Sequence, residues 1–277
     1  MRRIAVWLVV GVFVILLGRS LLNFMSFLGD MDAGGDHPNQ ILGPRTSDLS
    51  DNELAKLFEQ LVLFDERRMA RQMLFRWNGP IRVKFAGNSI DIELEGAKEA
   101  LRQAARISGL EIGSAHGFVD ANLVIHFSDP GDVLIAAKRY GVRTSDLGTS
   151  HWGIESSRDD RKGSYVSSRI VVESNQGAAQ LDCTLRHEIM HALGFAPHPE
   201  VNVASVLAPR TDLLCGDFTL IDKLLVRTLY DPRIPVGADV KLARVLSRNI
   251  IAELVEELRA GGDPDQILAH PNSRKQQ

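Results

Sequence analysis

At 277 residues, 44% hydrophobic and 24% charged, the chain can bury one substantial core and has the composition of an ordinary globular domain. A formal net charge of −3 and a pI near 6.2 leave no footprint for a polyanion, and no run of Lys and Arg is long enough to suggest nucleic acid. Two cysteines are too few for a disulfide scaffold.

The N-terminus bears on the compartment. Met1-Arg2-Arg3 is followed by Ile4 to Leu17, uncharged and almost wholly apolar, then by Gly18 and Arg19 and a second largely apolar run, Leu21 to Leu28. A basic start before such a run has the form of an export signal. The first run is shorter than the roughly 20 residues that span a bilayer, and Gly18 to Leu28 extends it if Arg19 snorkels. With no small-x-small cleavage site, residues 1–28 are expected to stay as a single-pass membrane anchor. Arg2 and Arg3 would then stay in the cytoplasm, with everything after Gly29 periplasmic or extracellular. An oxidising compartment would let Cys183 and Cys215 pair; two buried thiols are the alternative. Residues 29–47, rich in Gly, Asp, Pro and Asn, read as a linker to a domain over 48–237, followed by a C-terminal helix and tail over 238–277.

Within the domain, Ser50-Asp51-Asn52-Glu53 opens an amphipathic helix expected to run to about Arg71, with Asp65-Glu66-Arg67-Arg68 as a solvated face. Ile81 to Phe85 alternates as a half-buried strand, Glu95 to Ile107 has helical periodicity, and Ala121 to Phe127 is a more continuously apolar strand. That order predicts a parallel crossover. His126 on the second strand reads as a core or half-exposed histidine. A short helix over 130–140 and a polar stretch from Thr149 to Gly163 follow, with Asp159 to Lys162 as a loop tip and His151 as a surface histidine. Arg169 to Glu173 is a strand, and the region of Trp152 to Val172 is where a sheet edge able to receive an extended peptide is expected. Two strongly periodic helices, Phe218 to Tyr230 and Asp239 to Leu258, precede a polar tail from Asn272 to Gln277 that is expected to fray.

Chemistry concentrates in His187-Glu188-Ile189-Met190-His191, which continues to Gly194 and His198. Residues four apart lie one above the other on a helix, so His187 and His191 present two imidazoles on one face, as a zinc ion requires. Glu188 follows the first ligand directly, where a carboxylate can act as general base on a water without ligating the metal. Gly194 can take φ > 0, end the helix and turn the chain back toward the same metal. His198 is the candidate third ligand, with Glu200 or water as the alternative. The other helix face, Leu185, Ile189, Ala192 and Leu193, is apolar and would bury against a sheet.

The run from His187 to His198 resembles the metzincin clan of zinc metallopeptidases, whose signature is HExxHxxGxxH. Gly194 is in register; the third histidine falls one residue late, and Pro197 stands where that clan places its ligand. Downstream, Ser205-Val206-Leu207 is similar to the clan's tight turn below the metal, with Leu207 in the methionine's place. Asp222 and Leu229-Tyr230 match its closing helix. The segment Phe218 to Gly237 is also similar to an uncharacterised bacterial exported family. The likeness covers about Ile81 to Gly237, most strongly His187 to Tyr230. It implies an α/β (α+β) fold: a mixed twisted sheet with an active-site helix and a C-terminal helical subdomain. It further implies a Zn2+ cofactor, a peptide or protein substrate and Glu188 as the catalytic residue. Tyr230 is a conceivable transition-state donor, with core packing as its other role. A non-catalytic exported module that keeps the fold and the metal is the rival expectation.

Overall fold

Ser50 starts the first helix with a capping box: its hydroxyl accepts from the Glu53 amide and its own amide donates to the Glu53 carboxylate at 2.8 Å. In this computed structural model, which describes residues 49–142, 152–200, 203–208 and 216–274, that helix is α1 (Asp51–Val62). The expected anchor (1–28) and linker (29–47), His151 and Cys215 lie outside the described residues, and Cys183 is disulfide-bonded. Leu54, Leu57, Phe58 and Leu61 form the buried stripe of α1. The helix stops at Val62 rather than near Arg71. The Asp65 carboxylate captures the Met69 amide at 2.8 Å, Arg68 takes φ 59°, and Phe64 bridges back to Ala70. A short side chain that satisfies nearby backbone amides competes with helix continuation, so Asp65 to Arg68 is a turn and not a solvated helix face.

Five strands form one mixed sheet in the order β2-β1-β3-β5-β4: β1 (Ile81–Gly87), β2 (Ile112–Ser114), β3 (Leu123–Ser128), β4 (Gly153–Asp159) and β5 (Tyr165–Glu173). Helix α2 (Asp91–Ser108) connects β1 to the short β2, and β1, β2, β3 and β5 all run parallel. Ile125 of β3 stands opposite Phe85 of β1 and Ile170 of β5. The central strands read as continuous apolar runs because helices cover both faces. On one face Ile125, Phe127, Ile170 and Val172 pack with Ala97 and Leu101 of α2 and with Leu181, Leu185 and Ile189 of α4 (Ala178–Leu193). On the other, Val171 and Ile154 pack with Val133, Ala136 and Ala137 of α3 (Val133–Arg139).

The polar stretch after Thr149 differs from a simple loop. Gly153 to Asp159 is a strand, antiparallel to β5 and at the end of the sheet. Only its tip is a turn: the Asp160 carboxylate accepts from the amides of Lys162 at 2.7 Å and Ser164 at 3.0 Å, and Arg161 takes φ 62°.

After the sheet come α5 (Leu220–Leu229), α6 (Val240–Arg259) and two short helices, α7 (Pro264–Ile267) and α8 (Pro271–Arg274). Helix α6 lies against α1, where Glu59 accepts from Arg244 Nε at 2.8 Å and Arg248 Nε at 2.7 Å. The expected fraying from Asn272 does not hold over α8. The amide of buried His270 donates to Arg106 O at 3.0 Å, and the Asn272 amide donates to His270 Nδ1 at 3.2 Å. A mixed sheet with helices on both faces makes the architecture α+β. Among the described residues no helix is long and apolar enough to cross a membrane.

Candidate metal centre

Helix α4 is rich in Ala and Leu, with Gln, Arg, Glu and Met among them, and is bounded by Gly177 and Gly194, a composition and punctuation that favour a helix of this length. Its stop is sterically defined. Gly194 has φ 129°, and a Cβ there would meet the Phe75 carbonyl oxygen at 2.8 Å. The last carbonyls of α4 are taken up by aromatic donors: Trp77 Nε1 gives to Ala192 O at 2.8 Å and the Tyr230 hydroxyl to Leu193 O at 2.9 Å. Beyond the stop Phe195 is fully buried and the Ala196 amide donates to Leu61 O at 3.0 Å. The chain is thereby turned back over α4, and His198 comes with it.

The three predicted histidines meet. Nε2 of His187 lies 3.1 Å from Nε2 of His191 and 3.1 Å from Nε2 of His198, and one ligand atom from each of the three lies within 4.8 Å of the others. Tetrahedral zinc with Zn–N near 2.0–2.1 Å holds its nitrogens roughly 3.3 Å apart. The donor set itself tests the fit. His187 Nδ1 is 2.8 Å from Val206 O and His191 Nδ1 is 2.6 Å from Phe195 O. A carbonyl only accepts, so each Nδ1 carries the proton and each Nε2 presents a lone pair. Two lone pairs 3.1 Å apart repel, and a cation between them converts that repulsion into ligation. Burial pushes His187 down to about 4, helped by His198; burial first, then His187 and His198, hold His191 well below the usual histidine value. His198 is lowered by burial and then by Arg68. Burial thus disfavours the charged form of each ring, and the neutral form is the one that binds metal.

Glu188 is only 4% exposed. It is packed beside Gly153 at the start of β4. Burial, and then the charges of Glu155 and Glu66, raise its carboxyl well above the usual range. A buried carboxylate that favours its protonated form can hold and return a proton.

The turn that meets His187 runs from Val203 to Ala208, with Leu207 fully buried. Asp222, buried in α5, fixes this turn. Its carboxylate accepts from Ser205 Oγ at 2.6 Å, Val206 N at 3.1 Å, Thr219 N at 3.0 Å and Thr219 Oγ1 at 2.8 Å. The carbonyl that orients His187 therefore belongs to a residue whose own amide is held by Asp222.

Other candidates fall elsewhere. Glu200 forms an ion pair with Arg68. Tyr230 is 4% exposed, accepts from the Trp77 amide at 3.3 Å and caps α4, so it has the packing role. His126 sits 3.1 Å from the Tyr140 hydroxyl on β3 and is half-buried. Trp152 is 43% exposed at the start of the edge strand. Sequence reasoning missed Gly153 and Glu155, which the structure sets beside Glu188. The alternation Trp152, Gly153, Ile154, Glu155 was the available sign of a strand, outweighed by the polar residues that follow.

Two histidines on a helix packed under a mixed sheet, with a third from the chain beyond Gly194, define an α+β domain with a candidate zinc-type metal site. The chain belongs to the family described as "Protein of unknown function (DUF2927)", whose model matches residues 51–247, from the start of α1 into α6. No curated protein matches it.

Proposed function

We propose that this protein is a zinc-dependent metalloendopeptidase of metzincin-like fold, anchored in the membrane by residues 1–28, with its catalytic domain exported. One observation carries the reading: both helix histidines have Nδ1 committed to a backbone carbonyl, and their Nε2 lone pairs converge with His198. His187, His191 and His198 would hold the ion. Zinc held there supplies Lewis acidity toward water and toward a carbonyl.

The remaining work falls to this chain's own groups. Glu188 takes a proton from water and returns it to the leaving amine, a role to which a carboxyl raised well above its usual range by burial is suited. The edge of β4 offers backbone groups to an extended peptide, which would be bound by strand addition a short distance from Glu188. The basic start and apolar run of residues 1–28 support export and anchoring, and the net charge of −3 supports no nucleic-acid partner.

The test is cleavage of a peptide library by full-length protein in detergent, wild type against Glu188→Gln. Cleavage that falls by about 10²–10⁴ in the variant supports the reading. Cleavage indifferent to Glu188→Gln rejects it, and full zinc occupancy with no cleavage of any peptide would favour a non-catalytic module that keeps the fold and the metal.

A further inference from the structure

We infer that Gly153 is a positioning residue for Glu188: the missing side chain at the first position of β4 sets the gap between the sheet edge and that carboxylate. The inference rests on the reading of Glu188 as general base.

A Cβ built on Gly153 would lie 2.7 Å from Glu188 Oε1, 3.0 Å from Glu188 Cγ and 2.7 Å from Thr184 Cγ2. Thr184 and Glu188 are one turn apart on α4, so the strand end bears on two successive turns of the helix that carries the histidines. Gly153 does not have a positive φ. Alanine would suit its backbone, and glycine is required only by the closeness of α4.

Thr184 and the strand are both held in place. Thr184 Oγ1 donates to Gln180 O at 3.0 Å or Gln176 Oε1 at 3.1 Å, and Glu188 is 4% exposed. The strand is held from the other side: Gly153 is in register opposite Val172, and the Trp152 carbonyl accepts from the Glu173 amide at 2.8 Å. Two residues on, Glu155 lies on the same face of β4 as Gly153 and takes the hydroxyls of Ser157 and Ser168, tying β4 to β5. A methyl group at 153 meets both Thr184 Cγ2 and Glu188 Oε1, and of these two the carboxylate, at the end of the longer side chain, is the one that can swing aside. The same gap sets how close a peptide on the β4 edge comes to the base.

The experiment uses full-length protein in detergent, loaded with Co2+, as wild type, Gly153→Ala, Gly153→Ala with Thr184→Ser, and Glu188→Gln. The expected result is wild-type cobalt stoichiometry in Gly153→Ala, with the pH midpoint of its visible spectrum moved toward that of Glu188→Gln. Its kcat for a library-derived peptide falls about 10²-fold, the scale of a misplacement near 1 Å, while KM changes little. Removing the Thr184 methyl should leave that midpoint where Gly153→Ala puts it. A Gly153→Ala midpoint and kcat equal to wild type would overturn the inference, as would full recovery on adding Thr184→Ser, which would make the contact one of helix packing. Wild-type protein that takes up no cobalt would overturn this inference and the metallopeptidase reading together.

Discussion

Asp222 shows what one side chain can decide. It is fully buried, and such a carboxylate is costly unless donors surround it; here the four donors from Ser205, Val206 and Thr219 converge on it. Through Val206 it reaches the imidazole of His187. Asp222→Asn puts an amide NH2 where donors point inward, so about 1–3 kcal/mol of stability should be lost. Metal affinity should weaken about 10–100-fold, which denaturant titration and chelator competition would read separately. Stability lost with affinity unchanged would mean that Asp222 only braces α5. The sequence placed Asp222 on its helix by periodicity and resemblance, but its role depends on a turn 16 residues earlier, a closeness that no local pattern encodes. His187, Glu188 and His191 were legible because a helix fixes their relation at four residues' spacing. For His198 the sequence offered only a glycine stop and a nearby imidazole.

At the scale of elements, what could be read was what is periodic. Helices α2, α4, α5 and α6 and strands β1, β3 and β5 bury regular stripes, and their patterns survive averaging over a window. Two features lack such a stripe: the early end of α1, set by the Asp65 turn, and the edge strand β4, whose Glu155, Ser156 and Ser157 are polar and half-buried. The junction after α4 joins both kinds. Gly194 stops a regular helix at a φ of 129° against the Phe75 carbonyl, and the next four residues deliver His198. Gly194→Ala combines backbone strain with that close contact and should destabilise the chain by about 1–3 kcal/mol. It should also loosen the third histidine more than the first two. Thermal unfolding with and without added zinc would check this: the zinc-induced rise in melting temperature should be smaller in the variant than in wild type.

Over the whole molecule, buried titratable groups set opposing slopes of stability with pH. His187, lowered from 6.5 to about 4, binds fewer protons folded than unfolded across that window. Its contribution is complete above 6.5 and is lost as pH falls toward 4. Glu155, raised from 4.5 to about 7 by burial against the donation of Ser157 and Ser168, binds more protons folded; its contribution is complete below 4.5 and is lost as pH rises toward 7. In the metal-free chain the two partly cancel between 4.5 and 6.5. Glu155→Gln removes the falling slope, so urea titrations across that window should show the variant gaining stability with pH more steeply than wild type, and parallel curves would contradict the assignment. The proposed activity depends on the metal, and the zinc content of full-length protein purified without chelator, wild type against His198→Ala, measures it directly. Three histidine ligands should hold a single zinc per chain in wild type, and dialysis should remove it from His198→Ala. Wild-type protein holding well under stoichiometric zinc, or a His198→Ala variant that retains it as firmly as wild type, would contradict the three-histidine centre.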